Sequence, residues 1–298
     1  MSHPAAQQPC ARRRGLLTGT GATVPRTPPS GGWHPIVWGC EFLGTAVLLA
    51  GGLSAVFVNF GAHSPVAHLL PSMSARLLLT GLLFAGTGSL VALSPIGRTS
   101  GAHLNPAVTL AFFTQRKVHP HDVAGYIAAQ LLGAVVACAV LRLAWGPTAL
   151  RLHLGATQPG GGLRSWQATG LEAAMTAALL LMIFFLTSHR RTARWTPLGN
   201  WILVAILVWQ AAPYTGTSLN PARSIGPALL APYLPNLWVY VVGPLAGALL
   251  AAAIFSAFKN THTLTAKLFH DVRYPSTMAA ELPTTGHLSH TPSGGDRP

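Results

Sequence analysis

The stretch Ser100-Gly-Ala-His-Leu-Asn-Pro-Ala-Val-Thr109 returns in the second half of the chain as Gly216-Thr-Ser-Leu-Asn-Pro-Ala-Arg-Ser224. Each copy carries Asn-Pro-Ala, at Asn105, Pro106 and Ala107 and at Asn220, Pro221 and Ala222. Asparagine is a favoured helix N-cap because its side-chain oxygen accepts an otherwise orphaned backbone N–H. Proline is favoured at the first helical position, where it has no N–H to leave unpaired. Both stretches therefore read as helix starts. The apolar runs they open are short: Pro106 to Thr114 and Pro221 to Leu230 hold nine and ten residues. At 1.5 Å per residue that is about 14 and 15 Å of helix, half of a bilayer's hydrocarbon core.

Around these two pieces lie six segments of spanning length, about Ile36 to Phe60, Leu77 to Ser94, Val123 to Leu143, Trp166 to Ser188, Leu198 to Ala212 and Leu237 to Phe258. Composition agrees with a membrane chain, since 50% of the 298 residues are hydrophobic and only 8% charged, against roughly 25% charged in soluble domains. A water-soluble enzyme is disfavoured, and no cluster of nucleophile, base or metal ligands is apparent. The formal charge of +13 does not read as nucleic-acid binding, because the Lys and Arg sit in short clusters between apolar runs. Cys10, Cys40 and Cys138 are too few and too widely spaced for a disulfide framework or a zinc site. We expect no cofactor and no metal.

Basic residues set the orientation. With the N-terminus in the cytoplasm, 14 of the 19 Lys and Arg fall inside, among them Arg12 to Arg14, Arg98, Arg116, Lys117 and Arg190 to Arg194. The positive-inside bias thus predicts a cell-membrane protein with both termini cytoplasmic. The first short piece, flanked by Arg98 and Arg116, enters and leaves on the cytoplasmic side. The second enters from outside. Residues 1–35 read as a disordered basic tail and 259–298 as a second disordered polar tail, with the spanning domain at 36–258.

The halves match beyond the two quoted stretches. Glu41-Phe-Leu-Gly-Thr45 opens the first span and Glu172-Ala-Ala-Met-Thr176 the fourth, each a Glu with Thr four residues on. The chain reads as a duplication, repeat one 36–145 and repeat two 166–258. Three spans per half reverse the second copy in the membrane. The expected fold is an all-α membrane protein: six transmembrane helices plus two re-entrant half-helices in an inverted 3+3 repeat. A helix start at membrane depth leaves non-helical backbone that survives only when buried in protein or lining water. Two such starts from opposite faces favour a lined pathway.

Taken together these residues resemble the aquaporin, or major intrinsic protein, family, and its bacterial water channels in particular. The likeness covers roughly residues 36 to 258. It implies a passive water channel, usually a homotetramer in lipid, with leakage to small neutral solutes such as glycerol or urea as the alternative. An ion-coupled transporter and a purely structural membrane protein are weaker alternatives. No lysine or arginine repeats beside the two acids for ion coupling.

The motif residues take roles accordingly. With their oxygens held in capping, Asn105 and Asn220 keep free NH2 groups as donors. Beside two positive helix ends, these would orient water by its oxygen and disfavour cations. Glu41 and Glu172 are intramembrane carboxylates, either proton carriers or acceptors for exposed N–H groups of the re-entrant loops. The resemblance favours the second role. It likewise implies that His103 supports the first loop or senses pH, and support is expected.

Arg223 must face a polar lumen or be paired, and no acid lies between Glu172 and Asp271, so a lumen position is expected. Family spacing from Asn220 places Thr217 and Val208 beside it in a selectivity filter. Strictly water-selective members usually carry His at the latter position, so Val208 implies a wider, less polar opening. For the remaining filter residue Ala85 matches the usual spacing. We take Phe84, one residue earlier, on the reading that Ser94-Pro-Ile-Gly-Arg98 holds an extra residue. By the same resemblance Ser224, Ala228 and Tyr240 look water-type, whereas Val241 stands where such channels often have Trp. Small residues recur at fours, Gly243 with Gly247 and Gly125, Ala129 with Gly133. Such faces let helices approach closely.

Overall fold

The computed structural model describes residues 33–62, 64–231, 233–258 and 261–268. Its helices are α1 (Pro35–Phe60), α2 (Pro65–Leu69), α3 (Met73–Leu93), α4 (Pro95–Ser100), α5 (Pro106–Thr114), α6 (Pro120–Arg151), α7 (Ser165–Thr187), α8 (Arg190–Ala193), α9 (Thr196–Thr215), α10 (Pro221–Leu230) and α11 (Val239–Ser256). Six of them, α1, α3, α6, α7, α9 and α11, are long; all of these but α9 are long and apolar enough to cross a membrane by length and composition, and α5 and α10 are the half-helices. No strand occurs among the described residues.

The long helices are apolar on nearly every side, which suits elements that face lipid outward and one another inward. Leu132, Val136 and Val140 of α6, Leu43 and Val47 of α1, and Ile202 and Ile206 of α9 form exposed stripes at four-residue spacing. Trp33, Trp166, Trp195 and Trp238 are exposed at the starts of α1, α7, α9 and α11, where an amphipathic ring sits at the lipid–water boundary. The fifth span, α9, is the least uniform, with Asn200, Gln210 and Pro213 inside it.

The spans pair in the pattern a duplication demands. First packs on third (α1 with α6), fourth on sixth (α7 with α11), and second on fifth (α3 with α9) across the two halves. Each half-helix leans on the third span of the opposite half, α5 on α11 and α10 on α6. Glycines set the closest approaches. A Cβ built on Gly133 of α6 would lie 2.4 Å from the Phe42 carbonyl oxygen of α1, and one on Gly247 of α11 would lie 2.3 Å from the Ala173 oxygen of α7. Gly247→Leu is therefore expected to cost about 3 kcal/mol by overpacking. Gly170→Leu on α7, where a Cβ would meet nothing within 4 Å, serves as its control. Thermal unfolding in detergent distinguishes them, and equal midpoints would refute this packing account.

Three local features depart from the sequence reading. Helix α6 runs past Leu143 because a kink follows: Gly146 has φ 49° and ψ −126° and precedes Pro147, so the last turns leave the span's direction. Helix α3 ends where Ser94 turns extended (ψ 163°) and caps a separate six-residue helix, α4. Finally, part of the segment read as a disordered C-terminal tail is packed. Thr263 to Leu268 are each at most 6% exposed, and the Leu264 N–H donates to the Thr187 carbonyl at 2.9 Å. At the other end, Trp33 to Pro35 join the start of α1. Residues 1–32 and 269–298 of the two tails lie outside the described residues.

The start of α1 lies against the start of α6. Asp122 accepts Trp38 Nε1–H at 2.8 Å, and its other oxygen lies 2.9 Å from His34 Nδ1. His34, His121 and Asp122 bring ligand-type atoms within 4.8 Å of one another. Both Asp122 oxygens are engaged by these α1 donors, and the group joins the two helices as a clasp. It marks the terminal face, where the described chain begins and ends; the other side is the far face.

Candidate conduction site

Each half-helix is placed by the loop before it, and each loop is strained in the same way. Ala102 and Leu104 in the first and Thr217 and Leu219 in the second have φ of 54°, 51°, 48° and 58°. Non-glycine residues rarely hold this left-handed region, so the surroundings must over-determine it. A backbone with such residues turns successive N–H groups to one side as an anion-binding nest. A carboxylate fills each nest. Glu41 accepts the N–H groups of His103 at 3.0 Å and Leu104 at 2.7 Å, and Glu172 accepts those of Ser218 at 2.9 Å and Leu219 at 2.8 Å. Both acids are fully buried. Because a trans peptide sets C=O opposite N–H, the carbonyls of Ala102, His103, Thr217 and Ser218 point away from the acids. All four residues line cavities.

The first nest has further support that sequence reasoning missed. Ser100 Oγ and Gln130 Nε2 also donate to Glu41, at 2.7 and 2.8 Å. His103 stacks on Phe112 with ring centroids 5.0 Å apart. Its Nδ1 lies 3.1 Å from Thr109 Oγ1, and its Nε2 lies 2.7 Å from the Ala266 carbonyl oxygen.

At the tips of the half-helices the two motifs meet. Asn105 Oδ1 accepts the Ala107 N–H at 2.8 Å and Asn220 Oδ1 the Ala222 N–H at 2.9 Å. Pro106 and Pro221 occupy the first helical positions. The side-chain amides then cross over: Asn105 Nδ2 donates to the Leu219 carbonyl and Asn220 Nδ2 to the Leu104 carbonyl, both at 2.8 Å. The sequence reading left these NH2 groups wholly free. One hydrogen of each is spent across the repeat interface, and one remains. Both asparagines border a cavity of about 90 Å³.

A second cavity, of about 460 Å³, lies on the far side and shares Phe84, Val204, Ser218, Leu219 and Arg223 with the first. Phe84, Val208, Thr217 and Arg223 all line it. Ala85 borders only the smaller cavity, whereas Phe84 borders both. The Arg223 guanidinium stands 5.6 Å from the centre of the Phe84 ring. It donates through Nη1 to the Gly155 carbonyl at 2.7 Å, and no acid among the described residues is in salt-bridge range of it. The loop carrying Gly155 is thus part of the site, and nothing in its sequence had singled it out. Thr157 Oγ1 ties the same loop to Ser224 Oγ at 2.7 Å. The cavities run from the far face past Arg223 and Phe84 to the two asparagines. Beyond them, Leu268 is on the wall of the smaller one.

A model of the major intrinsic protein family matches residues 37–255. The chain is 34% identical over 226 residues to aquaporin NIP1-1 of Oryza sativa subsp. japonica, covering 74% of each chain. It is 36% identical over 215 residues to glycerol uptake facilitator protein-like 6 of Lactiplantibacillus plantarum, covering 71% of this chain and 93% of that one. To aquaporin-4 of Mus musculus it is 33% identical over 230 residues, covering 76% and 68%. The structure also resembles the X-ray structure of the aquaglyceroporin from Plasmodium falciparum, with a TM-score of 0.60 at 21% identity over 75% of this chain and 96% of that one. The last likeness speaks to fold alone.

Proposed function

Because this chain belongs to the major intrinsic protein family of membrane channels, we propose that it conducts water passively down an osmotic gradient while excluding ions and protons. The observation that supports this reading best is the reciprocal pair of bonds in which each motif asparagine donates to the carbonyl just before the other, Asn105 to Leu219 and Asn220 to Leu104. It fixes two amide donors and two positive helix ends beside one cavity. A water there is held by its oxygen, with its hydrogens turned outward, which breaks a proton wire, and the helix dipoles repel cations. Asn105, Pro106, Ala107, Asn220, Pro221 and Ala222 form the central constriction. Phe84, Val208, Thr217 and Arg223 form the outer filter, and Glu41, Glu172 and His103 brace the loops. The terminal face is cytoplasmic in a cell membrane, by the distribution of Lys and Arg, and four copies assemble in lipid as is usual for the family.

Small uncharged solutes are the second reading. Val208 contributes an apolar wall where a polar one would select for water, and the outer cavity holds about 460 Å³. Stopped-flow shrinkage and swelling of proteoliposomes with water, glycerol and urea separates the two. Water permeation is expected to exceed glycerol permeation; the opposite order would reverse the assignment. Val208→His, which adds a ring and a hydrogen-bonding group to the filter, is expected to lower glycerol and urea uptake on the order of tenfold, about 1.4 kcal/mol in barrier. Unchanged uptake in the same assay would remove Val208 from the filter.

A further inference from the structure

The segment Thr261 to Leu268 follows the last span and folds back beneath the bundle on the terminal face. Three backbone-level bonds hold it: the Leu264 N–H to the Thr187 carbonyl at 2.9 Å, the Leu268 N–H to the Gly101 carbonyl at 3.0 Å, and the Ala266 carbonyl to His103 Nε2 at 2.7 Å. It thus crosses from the end of α7 to the loop that positions α5. Gly101 makes room for it, with φ 99° and a position where a Cβ would lie 2.7 Å from the Ala266 oxygen. Ala266 and Leu268 join the core formed by Phe112, Ile183, Phe184 and Phe255.

Two observations set this segment apart from a permanent wall. It borders the smaller of the two cavities, about 90 Å³ against about 460 Å³, and that cavity also touches Asn105 and Asn220. It is anchored largely through its main chain. It has no helix or strand of its own, and of its buried side chains only Leu264, Ala266 and Leu268 are apolar. Thr263 Oγ1 is buried without a hydrogen-bond partner, a cost that undocking relieves. Ordering eight residues opposes the gains from these bonds, from the apolar side chains and from the further interaction of Lys267.

We propose that Thr261–Leu268 is an autoinhibitory strap that narrows the inner mouth with Leu268 as its stopper, and that its release raises flux. The proposal rests on the channel reading above. The strap couples to the conduction site through His103, whose ring it holds from below while the His103 N–H is held by Glu41. Shortening the stopper opens the mouth without touching the three main-chain bonds; deleting residues 259–298 removes the strap altogether.

The test compares purified full-length chain, Leu268→Ala and the chain truncated after Phe258 in proteoliposomes, by osmotic water permeability per protein. Both changes are expected to raise permeability by about threefold or more, as when a minority conducting state becomes dominant. If the truncated chain does not fold, Leu268→Ala decides. A conducting wild type with variants no faster than it would overturn the strap and leave the channel reading intact. Amide exchange at Leu264 and Leu268 of the full chain gives an independent reading. Exchange far faster than in α11 is expected, and protection equal to α11 overturns the proposal even where no variant conducts, an outcome that refutes the channel reading itself.

Discussion

Glu172→Ala is expected to collapse the second re-entrant loop. Removing the carboxylate leaves the Ser218 and Leu219 N–H groups buried without an acceptor, at a cost of about 1–3 kcal/mol each. Against a total stability of about 5–15 kcal/mol, the loss is large enough to lower the yield of folded protein. The strain of Thr217 and Leu219, both at positive φ, adds to it, because the nest is what holds those residues there. Glu172→Gln keeps one strong acceptor oxygen and is expected to lie between alanine and wild type. The readout is thermal unfolding by intrinsic fluorescence in detergent, with size-exclusion profiles as a check. Wild-type melting of the alanine variant would sink the bracing role. Loss of activity in the glutamine variant at wild-type stability would instead point to proton transfer.

Arg223→Ala is the second large effect. The guanidinium lies beside Phe84 and presents a positive side chain where the two cavities share their lining. Its removal widens the bore and takes away a fixed charge that opposes cations. Glycerol and urea permeation are expected to rise by an order of magnitude or more, each tenfold being about 1.4 kcal/mol of barrier, and proton leak to rise with them. On the proposed water-channel reading, water permeation is expected to change little. A pH-sensitive dye trapped in the vesicles measures the leak beside solute swelling. Solute uptake unchanged from wild type would show that Arg223 does not line the constriction.

The architecture was legible in the chain because membrane folding leaves few choices. Six apolar segments, two half-length pieces with Asn-Pro starts, and repeated Glu with Thr four residues on specify the order of spans and their inversion. The positions of Asn105 and Asn220 followed from capping chemistry. Less visible were groups that act through the main chain. The Gly155 carbonyl that receives Arg223 has no side chain to announce it, and the crossed Nδ2 bonds depend on how two loops distant in sequence meet. Counting from the motif pointed to Ala85, whereas Phe84 is the one of the two that borders both cavities.

The segment from Thr261 to Leu268 shows the limit most clearly. Its Thr, Lys and His content resembles that of a solvated tail, since it buries too little apolar surface to order itself. It is packed because the underside of the bundle supplies what it lacks: acceptors at Thr187 and Gly101, a ring nitrogen at His103, and an apolar recess for Ala266 and Leu268. What the amino-acid order determined alone was which backbone could cross a bilayer and where a helix had to begin, because local hydrogen bonding and hydrophobic length decide both. What tertiary structure decided was which carbonyls, rings and loops met around the passage, because those contacts join residues whose separation along the chain carries no local signal.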